Sequence, residues 1–455
     1  MTGTVTLPIW LFVLIVLFAA VTFASHFLFP SVRWFFRRRA ERLVARLNTR
    51  LERPIEPFKL ARRSDMILRL VYDPEVTRAV AEHAQETGTR EDVAFEIAQR
   101  YAREIVPAFS ALIYFGVAIR LARLLSNALY RIAVISPNSA AMAEIPRDAT
   151  VIYVMNHRSN MDYVLVTYLA AERQALSYAV GEWARVWPLS SLIRAMGAYF
   201  IRRKSRNALY RKVLQRYVQL ATVGGVSQAI FPEGGLSLDG AIATPKLGLL
   251  KYIIEDLDLE ARDVVFVPVA LNYDRVLEDR ILVAAGQSGE RRFNASISVV
   301  MLKAIRLLWL RVTGRYHRFG HAAVGYGVPM SLRDHRELAE DPEALANHLV
   351  ARIADAVPVL PVPLMCHLLL TEGPQDRVAL ERRVTEVLRL LPSDRVHVPR
   401  GQRALIAEHG LRILLRRGLA VEAEGQVSLV PEQRQIAEYY ARSIQHFWRD
   451  DAGAA

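Results

Sequence analysis

The middle of this sequence predicts an α/β fold with a largely parallel central sheet covered by helices. Three observations predict it. Five short β-type runs succeed one another from residue 149 onward: "TVIYVM" (150–155), "GAYFI" (197–201), "SQAIFP" (227–232), "VVFVPVAL" (264–271) and "HAAVGYG" (321–327). Amphipathic stretches at roughly 160–175, 205–223 and 246–257 lie between them. Strands that alternate with helices need crossover connections, and these give parallel pairing with helices laid on the sheet. Around this middle the sequence divides into four parts: a membrane-anchor helix over 7–29, a basic collar and helical region over 33–145, the α/β domain over 146–334, and a mostly helical region over 335–455.

The first part reads "LPIWLFVLIVLFAAVTFASHFLF", with His26 as its one titratable side chain. Twenty-three helical residues span roughly 35 Å, about the thickness of a bilayer core. The next stretch, residues 33–50, holds seven Arg against one Glu. No Lys or Arg precedes the apolar run, so the positive-inside rule places the N-terminus outside and the main body in the cytoplasm. The basic n-region of a signal peptide is missing, which favours a retained anchor in the cell membrane, the inner membrane if the source is bacterial. Trp34, Phe35 and Phe36 among arginines suit the headgroup zone.

The second part is helical by pattern. Apolar residues recur at three- and four-residue spacing from 73 to 106, with a break at Gly88. Residues 109–134 are strongly apolar but carry Arg120, Arg123 and Arg131, which predicts a core or membrane-surface helix rather than a span. Residues 290–315 are basic and apolar and predict a further interfacial helix. In the last part, "GLAVEAEGQVSLVP" predicts a β-hairpin turning at Glu424-Gly425. Helices followed by such a hairpin make a winged-helix-like unit.

Composition sets limits. A chain of 455 residues that is 52% hydrophobic is not generally disordered. Its net charge of +13 and pI near 9.9 favour anionic partners: phosphorylated substrates, anionic lipid or nucleic acid. The single cysteine, Cys366, excludes a disulfide framework or a Cys-based metal site within one chain. It lies in the apolar "VPLMCHLLL", a poor setting for a nucleophile.

Ligands of α/β sheets bind beyond the carboxyl ends of the strands. Each strand end here carries unusual chemistry. "NHRSNMDY" follows the first, with His157 and Asp162. Five residues are about 140° around an ideal helix, so the two do not share a helical face. With His157 in the loop, Ser159 or Asn160 as N-cap and Asp162 in the first turn, the carboxylate can fold back onto the imidazole. Arg202 and Arg203 follow the second strand, and guanidinium forks match phosphate geometry. "FPEGGLSLDG" follows the third, with Glu233, Gly234 and Ser237; its glycines let backbone approach an anion. Lys246 adds a cation at a helix start, and the fourth strand end, "VPVALNYDRV", carries Pro268 and Tyr273. No G-x-S-x-G elbow, H-E-x-x-H pair or Cys cluster is present. The constellation is that of a general base acting on a hydroxyl, without a nucleophilic side chain.

These residues resemble a known family. "NHRSNMD" is similar to the NHx4D block of glycerolipid acyltransferases, and "GAYFIRR", "FPEGGLS" and "VPVALNYDRVLE" resemble that family's second, third and fourth blocks, in order. "DGAIATPKLG", "YDRVLE", "VYDPEV" and "YYARSIQHF" resemble the glycerol-3-phosphate and dihydroxyacetone-phosphate branch. The resemblance implies a membrane-bound O-acyltransferase that moves a fatty acyl group from acyl-CoA or acyl-carrier protein to the sn-1 hydroxyl of glycerol-3-phosphate, making lysophosphatidate for phospholipids. It implies His157 as base and Asp162 as its orienter. Arg202, Arg203, Glu233, Gly234, Ser237 and Lys246 would bind and position glycerol phosphate, and Pro268 would shape the acyl side. It implies no metal or redox cofactor.

One departure matters. Where the third block usually has Arg before its serine, this chain has Leu236, and Leu238 holds the next basic position. That keeps open a sister activity, acylation of 1-acylglycerol-3-phosphate to phosphatidate. A membrane-tethered nucleic-acid-binding protein would explain the charge and the hairpin unit but not the four loops; nucleic acid is not an expected partner, whereas anionic membrane lipids are.

Overall fold

The computed structural model describes residues 8–135, 139–170, 173–181, 184–185, 187, 189–202, 205, 207–288, 318–391 and 405–448. Leu7 at the start of the predicted anchor, Arg203, and the predicted interfacial helix at 290–315 lie outside them. The chain forms two compact units, residues 1–55 and 56–455.

The first unit is dominated by one helix, Ile9–Asn48, of 40 residues. At 1.5 Å per residue it runs about 60 Å, so apolar run and basic collar form one rod. Trp10, Phe12, Leu14, Leu17 and Phe18 are exposed along its start. Past its end, the Asn48 Oδ1 accepts the Ile55 amide at 2.9 Å.

The second unit holds the sheet. Its strands are β1 (Arg131–Ile135), β2 (Thr150–Met155), β3 (Ser177–Gly181), β4 (Tyr199–Ile201), β5 (Gln228–Ile230), β6 (Val264–Tyr273), β7 (His321–Tyr326) and β8 (Met330–Ser331). The spatial order is β1-β7-β6-β2-β5-β3-β4, with β8 paired to β6. β4, β3, β5, β2 and β6 run parallel, as do β1 and β7; β6 meets β7 and β8 antiparallel. Every residue of β2 and β6 is buried, because helices cover both faces. That is why both strands read as continuous apolar runs rather than as alternation. All five predicted strands are present. β1 and β3 were not predicted, and β1 begins within the stretch read as a helix. "RIAVI" follows Leu129 with only Tyr130 between, so no Gly or Pro announces the change of period.

The helices before the sheet have clear local causes. Asp73 caps the helix Pro74–Thr87 by accepting the Glu75 amide, Pro74 opens it, and Gly88 closes it in the left-handed region at φ 64°. The same Asp73 takes Arg216 in a two-pronged pair at 2.9 and 2.8 Å, joining this helix to Ala208–Val223. Residues 112–129 form a π-helical turn followed by the helix Ile119–Leu129. Small residues Ala118, Ala122 and Ser126 face inward, while Leu112, Val117, Leu121, Leu124 and Leu125 are exposed. Among the described residues this is the one window apolar and long enough to cross a membrane by composition. It is half core helix, half exposed apolar face.

After the sheet come helices Pro342–Asp355, Pro361–Thr371, Arg377–Leu390 and Leu405–Arg417. The predicted hairpin is present as β10 (Ala420–Ala423) and β11 (Gln426–Leu429), after the short strand β9 (Gln375–Asp376) that completes a three-stranded sheet. Glu424 and Gly425 both take positive φ, 53° and 76°, as a two-residue hairpin turn requires. The succession helix, strand, two helices and hairpin is winged-helix-like. One buried apolar cluster runs from Met66 through β2 and β6 to Ile444, so the helical region, the sheet and the C-terminal part share a core.

The helix Arg434–Arg442 seals that core against the loop after β5. Gly240, at φ 91°, lies so close to it that a Cβ would fall 1.8 Å from the Tyr439 carbonyl oxygen. Gly240→Ala is therefore expected to destabilise the fold by roughly 2–4 kcal/mol, read as a lowered urea midpoint, because both the backbone conformation and the contact exclude a side chain.

Candidate active site

The loop after β2 is held from several sides. The Asn156 side chain bridges to β6, its Nδ2 donating to the Leu271 carbonyl at 3.0 Å and its Oδ1 accepting the Leu271 amide at 2.7 Å. The chain then turns, and the helix Met161–Ala170 begins. Asp162, in its first turn, is fully buried and folds back as the sequence predicts. Its Oδ2 accepts the His157 Nδ1 at 2.9 Å and the amides of Arg158 and Ser159 at 2.7 and 3.0 Å. Its Oδ1 accepts the Tyr273 hydroxyl at 2.6 Å. A carboxylate only accepts, so His157 carries its proton on Nδ1 and keeps a lone pair on Nε2. Phe231, just past β5, stacks on the imidazole with centroids 4.0 Å apart.

The third block closes over the first. Glu233 is buried; its Oε1 accepts the His157 amide at 2.9 Å and its Oε2 the Ala243 amide at 3.2 Å. Burial nevertheless pushes its pKa up to about 7, more than those two amides and Arg158 can offset. The Ser237 amide donates to the His157 carbonyl at 2.9 Å. Its hydroxyl serves the turn, donating to the Ala241 carbonyl at 2.7 Å and accepting the Gly240 amide at 3.0 Å. Gly234, at φ 66°, leaves room for the Lys246 side chain, which would stand 2.8 Å from a Cβ there. Leu236 packs against the core, as an apolar residue must.

The structure thus gathers His157, Asp162, Glu233, Gly234, Ser237 and Lys246 at adjoining ends of β2 and β5. It places two predicted residues elsewhere. Pro268 pairs with Val154 inside the sheet, and its carbonyl accepts the Gly327 amide at 2.9 Å. Arg202, at the end of β4, is gripped by Glu104, Nε to Oε1 at 2.8 Å and Nη2 to Oε2 at 2.6 Å, between the rings of Tyr101 and Tyr210.

Several residues take roles in the site that the sequence does not assign. Tyr273 reaches Asp162 across 111 positions. Glu278 accepts the Ser159 hydroxyl at 2.7 Å and the Asn160 side chain at 3.1 Å, so it clamps the loop opposite Glu233; burial raises its pKa too. Arg158 lies over the Tyr439 ring at 4.9 Å and donates to the Gly240 carbonyl. Each stands in or beside a quoted block, Tyr273 and Glu278 as the first and last residues of "YDRVLE" and Arg158 within "NHRSNMD", but no local signal pairs them with their partners. Among the described residues one group has metal-ligand potential: Asp274, His321 and His409 bring donor atoms within 4.8 Å of one another. Asp274 already accepts the His321 amide, His321 Nδ1 and the Val362 amide at 2.7, 3.0 and 2.9 Å, which fits a brace between β6, β7 and the helix that follows.

The comparisons with known proteins agree with the geometry. A model of the acyltransferase family matches residues 138–272, and one of the glycerol-3-phosphate acyltransferase C-terminal region matches residues 307–454. A glycerol-3-phosphate acyltransferase of Shewanella amazonensis is 31% identical over 445 residues, covering 89% of this chain and 53% of that protein. One from Shewanella loihica is 30% identical over 448 residues, covering 90% and 54%. The chain spans about half the length of the curated relatives it matches. The 1-acyl-sn-glycerophosphate acyltransferase PlsC of Thermotoga maritima, 18% identical, covers 64% of this chain and 96% of its own with a TM-score of 0.31, too low to support any argument.

Because the folded-state pKa of Glu233 lies above its ordinary 4.5, its contribution to stability is full below that value and is lost as pH rises through about 7. Urea midpoints of wild type and Glu233→Gln across this range should show the wild type losing stability with rising pH more steeply than the variant. Parallel curves would mean that the carboxyl is ionised throughout.

Proposed function

We propose, for a chain that belongs to the glycerol-3-phosphate acyltransferase family, that it transfers a fatty acyl group from a thioester donor to the sn-1 hydroxyl of glycerol-3-phosphate, giving lysophosphatidate. The observation that carries this reading is the buried Asp162–His157 pair at the carboxyl end of a parallel strand. His157 Nε2 takes the proton of the acceptor hydroxyl as the oxygen attacks the thioester carbonyl. Asp162 holds the ring by Nδ1 and stabilises the imidazolium that forms. Tyr273 and two amides fix Asp162 in turn. The tetrahedral intermediate collapses with loss of the thiolate, which recovers the proton from His157. No resident cofactor takes part in this scheme.

The acceptor phosphate is assigned to Lys246 over the Gly234 turn, because Glu104 already holds the Arg202 fork. Glu233 and Ser237 act through the His157 backbone, as positioning residues. The donor is acyl-CoA or acyl-carrier protein. We place the chain at the inner face of the cell membrane, held by its N-terminal helix, with anionic lipid against the arginine collar; the apolar run and its seven following arginines support this. Leu236 gives the sister reaction, acylation of 1-acylglycerol-3-phosphate, its specific support.

Membranes carrying the chain or His157→Ala should be offered glycerol-3-phosphate, dihydroxyacetone phosphate or 1-acylglycerol-3-phosphate with each donor, and the lipid product identified. Lysophosphatidate that disappears in the variant is the expected result. Phosphatidate formed only from the acylated acceptor would transfer the chain to the sister reaction, and product surviving in the variant would end the base assignment. Tyr273→Phe should lower kcat about tenfold with little change in KM, since a hydrogen bond to a charged group contributes about 1.5–3 kcal/mol.

A further inference from the structure

The end of the helix Glu91–Ile105 collects more positive charge than it can neutralise. Glu104, in its last turn, holds Arg202 and Arg185. Arg63 reaches the Val106 carbonyl at 3.0 Å and the Arg103 carbonyl. The Arg194 carbonyl accepts the Ala108 amide at 3.2 Å, and its guanidinium lies over the Phe200 ring at 5.2 Å, where Arg185 also lies at 5.8 Å. Four guanidinium groups therefore gather here against one carboxylate, which only Arg185 and Arg202 contact. Those of Arg63, Arg185 and Arg194 are only partly exposed. The Nε atoms of Arg185 and Arg194 are shut from solvent with no hydrogen-bond partner among the described residues. Burial first, and then Arg194 and Arg103 beside Arg63, and Arg185 beside Arg194, lower the basicity of Arg63 and Arg194. An anion would relieve the charge surplus and fill the vacant donors.

Its place in the sheet says which anion. Arg185 follows β3 and Arg202 ends β4, on the same carboxyl edge as His157 after β2. The order β2-β5-β3-β4 sets them two and three strand spacings from the base, ~10–14 Å. Lys246, whose amide donates to the Pro232 carbonyl just past β5, is about one spacing away and suits a three-carbon acceptor whose phosphate lies close to its reacting hydroxyl. The remote cluster suits a longer molecule. In a CoA thioester the reacting carbonyl and the nearest phosphate are separated by the pantetheine arm, built like a short extended peptide and of comparable reach.

Resting on the acyltransferase reading, we propose that Arg63, Arg185 and Arg194, braced by the Glu104–Arg202 pair, form a subsite for the phosphates of a CoA-type acyl donor. Arg63 also satisfies the last carbonyls of the Glu91–Ile105 helix, so Arg185 and Arg194 are the residues to change. The full chain and Arg185→Gln/Arg194→Gln are compared in detergent with three donors of one chain length: acyl-CoA, acyl-3′-dephospho-CoA and acyl-pantetheine. A variant with two exposed arginines neutralised, Arg62→Gln/Arg100→Gln, controls for net charge. Equilibrium binding of CoA to each protein is measured as well, independently of turnover.

The double variant is expected to lose at least about tenfold of the preference for acyl-CoA over acyl-pantetheine, through KM for acyl-CoA, and to bind CoA correspondingly more weakly. KM for glycerol-3-phosphate should stay within about twofold, and the charge control should match wild type. An unchanged donor preference, an equal loss in the control, or a rise confined to KM for glycerol-3-phosphate would each overturn the subsite. Absence of turnover with every donor, while CoA binding still depends on Arg185 and Arg194, would leave the subsite standing and remove the reaction instead.

Discussion

The arrangement depends on one buried carboxylate. Asp162 accepts four hydrogen bonds, from an imidazole, two consecutive amides and a phenol. A charge removed from water is tolerated only when its lone pairs are occupied, and here each donor comes with structural consequences. The two amides force the chain after β2 into a tight turn before its helix. The imidazole is fixed in tautomer and plane. The phenol is the last residue of β6, so the neighbouring strand must end level with the turn. Loop shape, ring orientation and strand length answer to the same group.

The surrounding carboxyl groups repeat the logic. Glu233 and Glu278 grip the loop from opposite sides, one by the backbone of His157, the other by Ser159 and Asn160. Burial raises the pKa of both. Two such acids beside an acceptor-only aspartate put three carboxyl groups around one loop, and burial works against the charged form of Glu233 and Glu278. The neutralising arginines stand farther along the sheet edge, where two of them share Glu104.

How much of this can be read from the residues depends on range. The β2 and β6 strands are legible because burial on both faces leaves an unbroken apolar run, and the His157–Asp162 pair because five residues suffice to fold one onto the other. The hairpin at Glu424-Gly425 is legible because two positive φ angles call for that pair. Tyr273 is marked by its place at a strand end, but its partner 111 positions away is not legible; Glu104 and Arg185, 98 and 81 positions from their partners, carry no local mark at all. Arg202 shows the limit of reading a side chain by its type. A guanidinium at a strand end suits phosphate, but here a carboxylate from a preceding helix has already taken the fork.

The helix Arg434–Arg442 gives the order of synthesis a meaning. Tyr439 presses its backbone on Gly240 and its ring on Arg158, while the Tyr440 hydroxyl accepts the Val276 amide at 2.9 Å and donates to Asp279 at 2.6 Å. A ribosome makes these residues some two hundred positions after the loop they support. The loops after β2 and β5 are therefore made long before the wall that supports them. Sheet and support are separated in time, and the loop is walled on every side only once the late residues fold back onto the middle.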